Sequence, residues 1–204
     1  MIKVLIATRN NAKLGEYKEF LFSLPIKLVT LSDLKIKDDI EEDGKTYKKN
    51  SQKKALFFAK ISSLPTVADD SGIEISAINN APGVRTRRWL GHHMTDKEII
   101  NHMKKISKTL PKNNRKASFK AVITLALPNG KVWSVHGQAN GIIAEKMNEK
   151  LWEGYPFRSF FYFPKIKKYY FESELTGDEQ KIYNHRYKAI QKLIPVIVKV
   201  LNIQ

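Results

Sequence analysis

Two adjacent carboxylates, Asp69 and Asp70, follow a short apolar run that starts at Thr66. Carboxylates at the end of a buried strand are costly unless a positive partner holds them. Mg²⁺ is the usual partner, because it takes hard oxygen ligands and keeps several of its waters. Glu41 and Glu42, in a polar segment earlier in the chain, can supply a further oxygen ligand. Since Asp-Asp-Ser-Gly is also an acceptable turn, a purely structural role remains the alternative.

A second polar group, Thr8, Asn10 and Lys13, follows the first predicted strand and precedes a helical pattern. A loop that leaves a strand and begins a helix offers free backbone N–H groups and the positive end of the helix dipole. Two side-chain donors and one ammonium charge at that point suit a phosphate group. The loop lacks the glycines of a P-loop or of a dinucleotide fingerprint. The competing interpretation is an ordinary capped helix start.

Two further sets of polar residues have the spacing of a binding site. Asn50 and Lys54 are four residues apart in a predicted helix and therefore share one face. A lysine there can direct its ammonium toward a ligand, whereas a surface lysine is merely solvated. Near the C-terminus, Asn184 is followed by His185 and Arg186, which can bind a base edge and a phosphate, respectively. A His-Arg pair is more often a surface feature, so both interpretations stay open.

The elements around these groups indicate a mixed α/β chain, with helices between strands in the first half and a hairpin in the second. The apolar runs are short, as in strands buried on both faces, and the helical stretches carry apolar stripes. A tight turn at Ser71-Gly72 is expected to end the strand that carries the two acids, and the last helix is expected to bend or restart at Pro195. Predicted strands cover residues 3–7, 27–31, 66–69, 117–127, 131–136 and 160–163; predicted helices start near Leu14 and cover 46–63, 95–110 and 177–204.

The composition is that of a folded protein with an excess of positive charge. The chain has 204 residues, 42% hydrophobic and 27% charged, from which we expect a single domain over residues 1–204. Thirty-six Lys and Arg against 20 Asp and Glu give a net charge of +16, which favours phosphate-bearing partners, although solvated surface lysines explain it equally well. No apolar run reaches the length of a membrane span or a signal-peptide core, and cysteine is absent. We therefore expect a cytoplasmic protein without membrane contact.

In their order along the chain, these groups resemble the motifs of the inosine triphosphate pyrophosphatase family, the non-canonical purine nucleoside triphosphate pyrophosphatases. Residues 8–13 match its T-x-N-x-x-K opening, and residues 68–72 match its A-D-D-S-G core. The remaining matches are residues 41–54 with an E-E-x-G-x-T-x-N-x-x-x-K stretch, residues 81–89 with an A-P-G…S-A-R-Y loop, and residues 184–186 with S-H-R. The resemblance covers about residues 2–190.

The resemblance implies a long bent mixed sheet flanked by helices, two lobes with a central cleft, and usually a homodimer. It implies Mg²⁺-dependent hydrolysis of ITP, dITP and XTP to the monophosphate and pyrophosphate, as nucleotide-pool sanitation that requires no nucleic acid. In this scheme Glu42, Asp69 and Asp70 bind the metal, with Glu42 favoured over Glu41 by the register, and Asp70 is the general base. The substrate-binding residues are Thr8, Asn10, Lys13, Lys54, Ser71, Tyr155, His185 and Arg186.

Several positions depart from the family pattern, mainly where the base would be recognised. Residues 154–159 align with the family's G-F-G-Y-D-P segment, in which Tyr155 keeps an aromatic ring but Arg158 replaces an acid. The other departures are Arg9 for a frequent glycine, Arg87 for an alanine, Gln180 for a lysine and Asn184 for a serine. The base preference therefore stays open. Two alternatives remain: a non-catalytic homologue that binds nucleotides or nucleic acid, and an enzyme with altered specificity.

Overall fold

Three parallel strands near the N-terminus begin a mixed sheet in the computed structural model, which describes residues 1–203. Strand β1 (Ile2–Ile6) pairs in parallel with β2 (Ile26–Thr30) and with β3 (Thr66–Ile75). Val4 and Leu5 in β1 are completely buried. Because both faces of β1 are covered at these residues, Val4, Leu5 and Ile6 form an apolar run without alternation.

The other strands extend this sheet, and helices flank it. The later strands are β4 (Ala81–Pro82), β5 (Lys116–Ala126), β6 (Val132–Ile143), β7 (Phe161–Phe163) and β8 (Lys168–Tyr169). The strand order is β2-β1-β3-β5-β6-β7-β8, with β4 paired to β3. The prediction of an α/β fold with one mixed sheet flanked by helices is confirmed. No helix within residues 1–203 is long and apolar enough to cross a membrane. The α-helices are α1 (Asn11–Phe20), α2 (Tyr47–Ser62), α3 (Asp96–Thr109), α4 (Gly177–Tyr183) and α5 (His185–Val200).

The chain forms two compact units. The first comprises residues 1–71, 121–137 and those from Arg186 onward; the second comprises residues 72–120 and 138–185. Each unit has its own hydrophobic core. A single domain over residues 1–204 stays a prediction.

In the first unit, the sheet has a separate core on each face. On one face, Val4 and Val67 pack with Tyr17 of α1 and Ile190 of α5. On the other face, Leu5 and Ala68 pack with Ala55 and Phe58 of α2. The alternation of strand side chains therefore decides whether a residue of β3 meets α1 and α5 or meets α2.

In the second unit, aromatic side chains from β7 and the segments beside it fill the core. Phe161 and Tyr170 are completely buried and lie beside Phe119 of β5. Helix α3 starts with a capping box of Thr95 and Glu98. Arg115 donates hydrogen bonds to four backbone carbonyls between residues 107 and 144, which joins the end of α3 to the end of β6.

The structure confirms the predicted ends of two helices and corrects two other predictions. Thr46 and Ser63 cap α2, and Thr95 and Leu110 cap α3. The tight turn at Ser71-Gly72 is wrong, because β3 continues to Ile75, where it pairs with β4.

Of the bend or restart expected at Pro195, the restart is also wrong, and the bend stays a prediction. Pro195 lies inside α5 without ending it, and the break comes between α4 and α5. There the backbone of Asn184 is extended, and the side-chain nitrogen Nδ2 of Asn184 donates a hydrogen bond to Gln180 Oε1 at 3.0 Å. The last helical stretch is therefore two helices, the second of which begins at His185.

Candidate active site

Asp69 and Asp70 are neighbours on β3 but point to opposite faces of the sheet, as successive strand residues do. Val67 packs in the core shared with α1 and α5, and Ala68 packs in the core shared with α2. The alternation therefore puts Asp69 beside α1 and α5, and Asp70 beside α2. Both side chains are buried. The two acids consequently have separate sets of partners.

Beside α1 and α5, Asp69 is surrounded by positive charge. Its Oδ2 accepts hydrogen bonds from Lys13 Nζ at 2.9 Å and from Arg186 Nη2 at 3.2 Å. Arg186 also donates to Ser71 Oγ at 3.1 Å, and its Nη1 forms an ion pair with the carboxylate of Glu16. Arg186 is only 1% exposed, so it links α5, α1 and β3 from inside the protein. Its role as a substrate ligand stays a prediction.

The charges around Asp69 decide its ionisation. Burial alone would raise the pKa of Asp69, but the charges of Lys13, Arg186 and Lys54 outweigh burial and hold that pKa well below its ordinary value. Burial in turn lowers the pKa of Lys13, against the attraction of Asp69. Asp69 is therefore an ionised carboxylate that anchors the buried Arg186 and the partly buried Lys13.

On the α2 side, the Asn50 side chain fixes the orientation of Asp70. Asp70 Oδ2 accepts a hydrogen bond from Asn50 Nδ2 at 2.9 Å, and Asn50 Oδ1 accepts one from the Gly44 N–H at 2.7 Å. Because the Gly44 N–H needs an acceptor, the amide nitrogen of Asn50 has to face Asp70. A Cβ at residue 44 would lie 2.4 Å from Asn50 Oδ1, so a side chain there would displace the amide. Asn50 thus joins Asp70 to the loop that carries Glu42.

Glu42 is the second acid on this side. Its Oε1 forms an ion pair with Lys54 Nζ, which also donates to the backbone oxygen of Asp69 at 3.1 Å. Burial and the negative charge of Glu42 raise the pKa of Asp70 to about 6, against the hydrogen bond from Asn50 and the nearby lysine charges. A carboxyl group with this pKa is suited to accept a proton near neutral pH.

Lys54 keeps its charge in these surroundings. Burial would lower the pKa of Lys54, but the negative charges of Glu42 and Asp69 and the hydrogen bond with Glu42 raise it. Lys54 therefore places a fixed positive charge between the loop that carries Glu42 and the strand that carries both aspartates.

Thr8 and Asn10 shape the start of α1. Asn10 is the N-cap, and its Oδ1 accepts a hydrogen bond from the Lys13 backbone N–H at 3.1 Å. Thr8 Oγ1 accepts one from the Asn10 backbone N–H at 3.2 Å. The capped helix start is therefore confirmed, and this cap also directs α1 so that Lys13 reaches Asp69. Phosphate binding by Thr8 and Asn10 stays a prediction.

The residues expected to recognise the base, Tyr155 and His185, lie in the second unit and are buried there. His185 Nδ1 lies 2.6 Å from the Tyr170 hydroxyl oxygen, and the imidazole stacks on Phe119 with ring centroids 5.2 Å apart. The guanidinium carbon of Arg158 lies 3.8 Å from the ring centroid of Tyr155. A cation thus covers one face of the ring expected to stack on the base. Substrate binding by Tyr155 and His185 stays a prediction.

The oxygen ligands available for a metal ion are two carboxylates on the α2 side and one buried oxygen on the other. Residues 1–203 contain no group of three or more Asp, Glu, His or Cys side chains that could hold a metal ion. Glu42 lies close enough to raise the pKa of Asp70, and Asp69 Oδ1 is buried without a hydrogen-bond partner among the described residues. Mg²⁺ is usually bound through one or two carboxylates, with waters and substrate phosphates completing its shell. The residues present therefore fit Mg²⁺ bound together with a polyphosphate.

The network around Asp69 makes the stability of the fold depend on pH. Because the pKa of Asp69 is lowered in the folded protein, the unfolded chain binds the proton more readily. Its contribution to the free energy of unfolding is therefore fully present above the unfolded pKa of about 3.9 and is lost as the pH falls through the folded pKa. Urea unfolding between pH 3 and 7 should show a steep loss of stability at the acidic end. The Asp69→Asn variant should show a weaker dependence, and an unchanged slope would contradict this assignment.

Glu16 is a residue that the sequence-based site missed. It stands three residues after Lys13 and four before Phe20, so helical spacing puts it on the face that carries both. Phe20 is buried in the core shared with α5. The signal in the sequence was that Glu16, an acid, lies on the apolar stripe of a predicted helix, where a charge needs a partner. Asn50 was expected to share a face with Lys54, and the structure adds its contact with Asp70.

Comparison with known proteins identifies the family. The family model described as "Ham1 family" matches residues 4–196. The dITP/XTP pyrophosphatase of Clostridium perfringens is 33% identical over 199 residues, covering 95% of this chain and 96% of the relative. A dITP/XTP pyrophosphatase of Thermus thermophilus is 36% identical over 193 residues, covering 95% of this chain and 90% of the relative.

Solved structures support the same assignment. A HAM1 protein from Coxiella burnetii gives a TM-score of 0.81 at 34% identity, covering 98% of this chain and 100% of that one. The Ham1 protein of Staphylococcus aureus gives a TM-score of 0.76 at 28% identity, covering 94% and 95%. The resemblance indicated by the motifs is confirmed. The chain belongs to the Ham1 family.

Proposed function

We propose that this protein is a Mg²⁺-dependent nucleoside triphosphate pyrophosphatase that hydrolyses non-canonical purine nucleotides such as dITP, ITP and XTP. The observation that carries the proposal is the carboxyl group of Asp70, with a pKa of about 6, beside Glu42 and fixed by Asn50. Two partly buried cations, Lys13 and Lys54, stand near it, as a polyanionic substrate requires. Relatives named dITP/XTP pyrophosphatases support the substrate class.

In the proposed reaction, Asp70 is the general base. Its carboxylate takes a proton from the attacking water, whose oxygen forms a bond to phosphorus while the bond to the oxygen that bridges the α- and β-phosphates breaks. The products are the nucleoside monophosphate and pyrophosphate. Lys13 and Lys54 bind the phosphate oxygens, because positioning and charge stabilisation supply most of the acceleration in phosphoryl transfer.

Glu42 and Asp70 are the proposed metal ligands, and Asp69 is proposed to take part through its free oxygen. When Mg²⁺ is bound, it neutralises the triphosphate and polarises the attacked phosphorus. Asp69 also keeps Lys13 and Arg186 in place. The arrangement lets one strand, β3, supply both the base and the anchor of the cationic side chains.

A cytoplasmic homodimer is proposed as the working form. The substrate class belongs to the nucleotide pool, and the sequence resembles a family that is usually dimeric. Light scattering on the purified protein tests the oligomeric state.

The central experiment is a panel of triphosphates assayed with and without Mg²⁺. We expect ITP, dITP and XTP to yield monophosphate and pyrophosphate, with a kcat/KM well above those of ATP and GTP, and EDTA to stop the reaction. Products should be separated by anion-exchange chromatography, so that pyrophosphate is distinguished from phosphate. Release of phosphate with formation of the diphosphate would contradict the proposed reaction.

A further inference from the structure

The segment between β2 and α2 is rich in acids and has little regular structure. Residues 36–44, which we call the acidic loop, contain no helix or strand. Five of the six residues from Asp38 to Asp43 are carboxylates, and Glu42 is one of them. Such a concentration of negative charge repels a triphosphate and disfavours a close approach to the substrate. The acidic loop therefore needs cations and anchors to hold it in place.

Several anchors come from α2 and from the core. Lys53 Nζ contacts Asp43 Oδ1 at 2.6 Å, Lys54 pairs with Glu42, and Asn50 accepts a hydrogen bond from the Gly44 N–H. The apolar side chains of the loop, Ile36 and Ile40, pack against the core beside α2. These contacts secure mainly the C-terminal half of the acidic loop and its apolar side.

Arg9, in the turn before α1, anchors the N-terminal half of the acidic loop. Its Nη2 atom donates to the backbone oxygens of Lys37 and Asp38 at 3.0 and 2.7 Å, and the backbone oxygen of Ile36 lies 3.4 Å from the same atom. Arg9 stands between Thr8 and Asn10 in the turn that caps α1. One guanidinium thus joins the turn that positions Lys13 to the loop that carries Glu42.

We propose that Arg9 is a positioning residue that holds the acidic loop against the turn before α1, so that Glu42 is in place before the metal–triphosphate complex binds. This inference rests on the proposed function. Arg9 stands where the motif that this chain resembles often has glycine, and that motif assigns it no role. Arg9 is exposed, and its replacement removes the loop anchor without opening the core.

The expected effect is on binding, and the chemical step should be largely spared. If the loop spends part of its time detached, the apparent dissociation constant rises by the inverse of the attached fraction. Once substrate is bound, Asp70 and Asn50 are unchanged, so turnover at saturation is preserved. Loss of Arg9 should therefore raise KM much more than it lowers kcat.

The test compares Arg9→Ala and Arg9→Lys with Lys37→Ala as a matched control. Lys37→Ala likewise removes one positive charge, here from the acidic loop itself, and it leaves in place the backbone oxygen that Arg9 contacts. Hydrogen–deuterium exchange of residues 31–46 is measured without metal or nucleotide, and KM for ITP and kcat are measured at several Mg²⁺ concentrations.

In Arg9→Ala we expect faster exchange confined to residues 36–44, a KM about 3–10-fold higher and a kcat within about twofold of the wild type. Arg9→Lys should show a smaller increase in exchange and in KM than Arg9→Ala, because an ammonium can still donate to carbonyl oxygens. Lys37→Ala should match the wild type in exchange.

Unchanged exchange in Arg9→Ala would overturn the proposal. If KM rises while exchange stays the same, Arg9 binds phosphate directly and is not a positioning residue. If the wild type hydrolyses no triphosphate, the proposed function fails, and the exchange measurement still decides whether Arg9 anchors the loop.

Discussion

The Asp70→Asn variant is expected to lose about 10²–10⁴-fold in kcat for ITP hydrolysis, the usual contribution of a general base. An amide has nearly the same shape as the carboxyl group but cannot accept the proton of the attacking water. It also removes a negative oxygen from the side that carries Glu42, and with it a proposed metal ligand. The measurement is the rate of pyrophosphate release at saturating ITP and Mg²⁺.

The same substitution should not weaken the metal-free fold. The folded pKa of Asp70, about 6, lies above its ordinary value, so burial of the ionised group opposes folding at neutral pH. Replacement by a neutral amide removes that cost, and the urea midpoint at pH 7.5 should be equal to or higher than that of the wild type. The control is Asp178→Asn, at an exposed acid on α4, which should change neither the rate of pyrophosphate release nor the urea midpoint. Wild-type turnover in Asp70→Asn would rule out Asp70 as the base.

Local signals in the sequence were sufficient to predict much of the fold. Helix starts at Thr46 and Thr95 follow from the preference of a hydroxyl oxygen for the first free N–H groups, which needs no distant partner. Both caps are present in the structure. Strand β1 was predictable for a similarly local reason, because the apolar run of residues 4–7 fits a strand covered on both sides.

The placement of Asp69 and Asp70 on opposite faces of β3 could in principle have been predicted from the sequence. Period-two alternation puts neighbouring strand residues on opposite faces, but a turn predicted at Ser71-Gly72 placed both acids at a strand end, where alternation stops. The strand continues because Glu74 and Ile75 pair with β4, a two-residue strand with no sequence signal of its own. The sequence therefore did not predict how the two acids divide between two faces, and their role as a site stays a prediction.

The network around Arg186 was beyond the reach of local reasoning. Its partner Glu16 is 170 residues away in the chain, and their contact exists only because α1 and α5 pack on the same face of the sheet. A His-Arg pair is more often a surface feature, and the helix dipole disfavours a buried cation at a helix start. The structure resolves this conflict with two buried carboxylates, which hold the guanidinium at the first turn of α5.

The second large effect is therefore expected at Glu16. Glu16→Gln removes the charge opposite the Nη1 atom of a guanidinium that is 1% exposed. Asp69 remains a partner, so we expect a loss of about 3 kcal/mol in the free energy of unfolding, at the lower end for a broken buried ion pair. Urea unfolding at pH 7.5 measures it, and an unchanged midpoint would show that Glu16 does not hold Arg186.

A double variant separates the contribution to stability from the contribution to the site. Glu16→Met/Arg186→Met removes both charges of the pair, so neither one stays buried without the other. Replacement of a buried ion pair by apolar side chains is often neutral for stability. We expect the double variant to be more stable than Glu16→Gln and yet to hydrolyse ITP at least about tenfold more slowly than the wild type. Ser71 and Asp69 Oδ2 then lose their contact with Arg186, and Lys13 is left as the cation bound to Asp69 on this side. If the double variant regained both stability and activity, the ion pairs of Arg186 would be needed for folding alone. A stable but slow double variant would show that the site needs Arg186, which holds Asp69 and Ser71 in the geometry that the substrate requires.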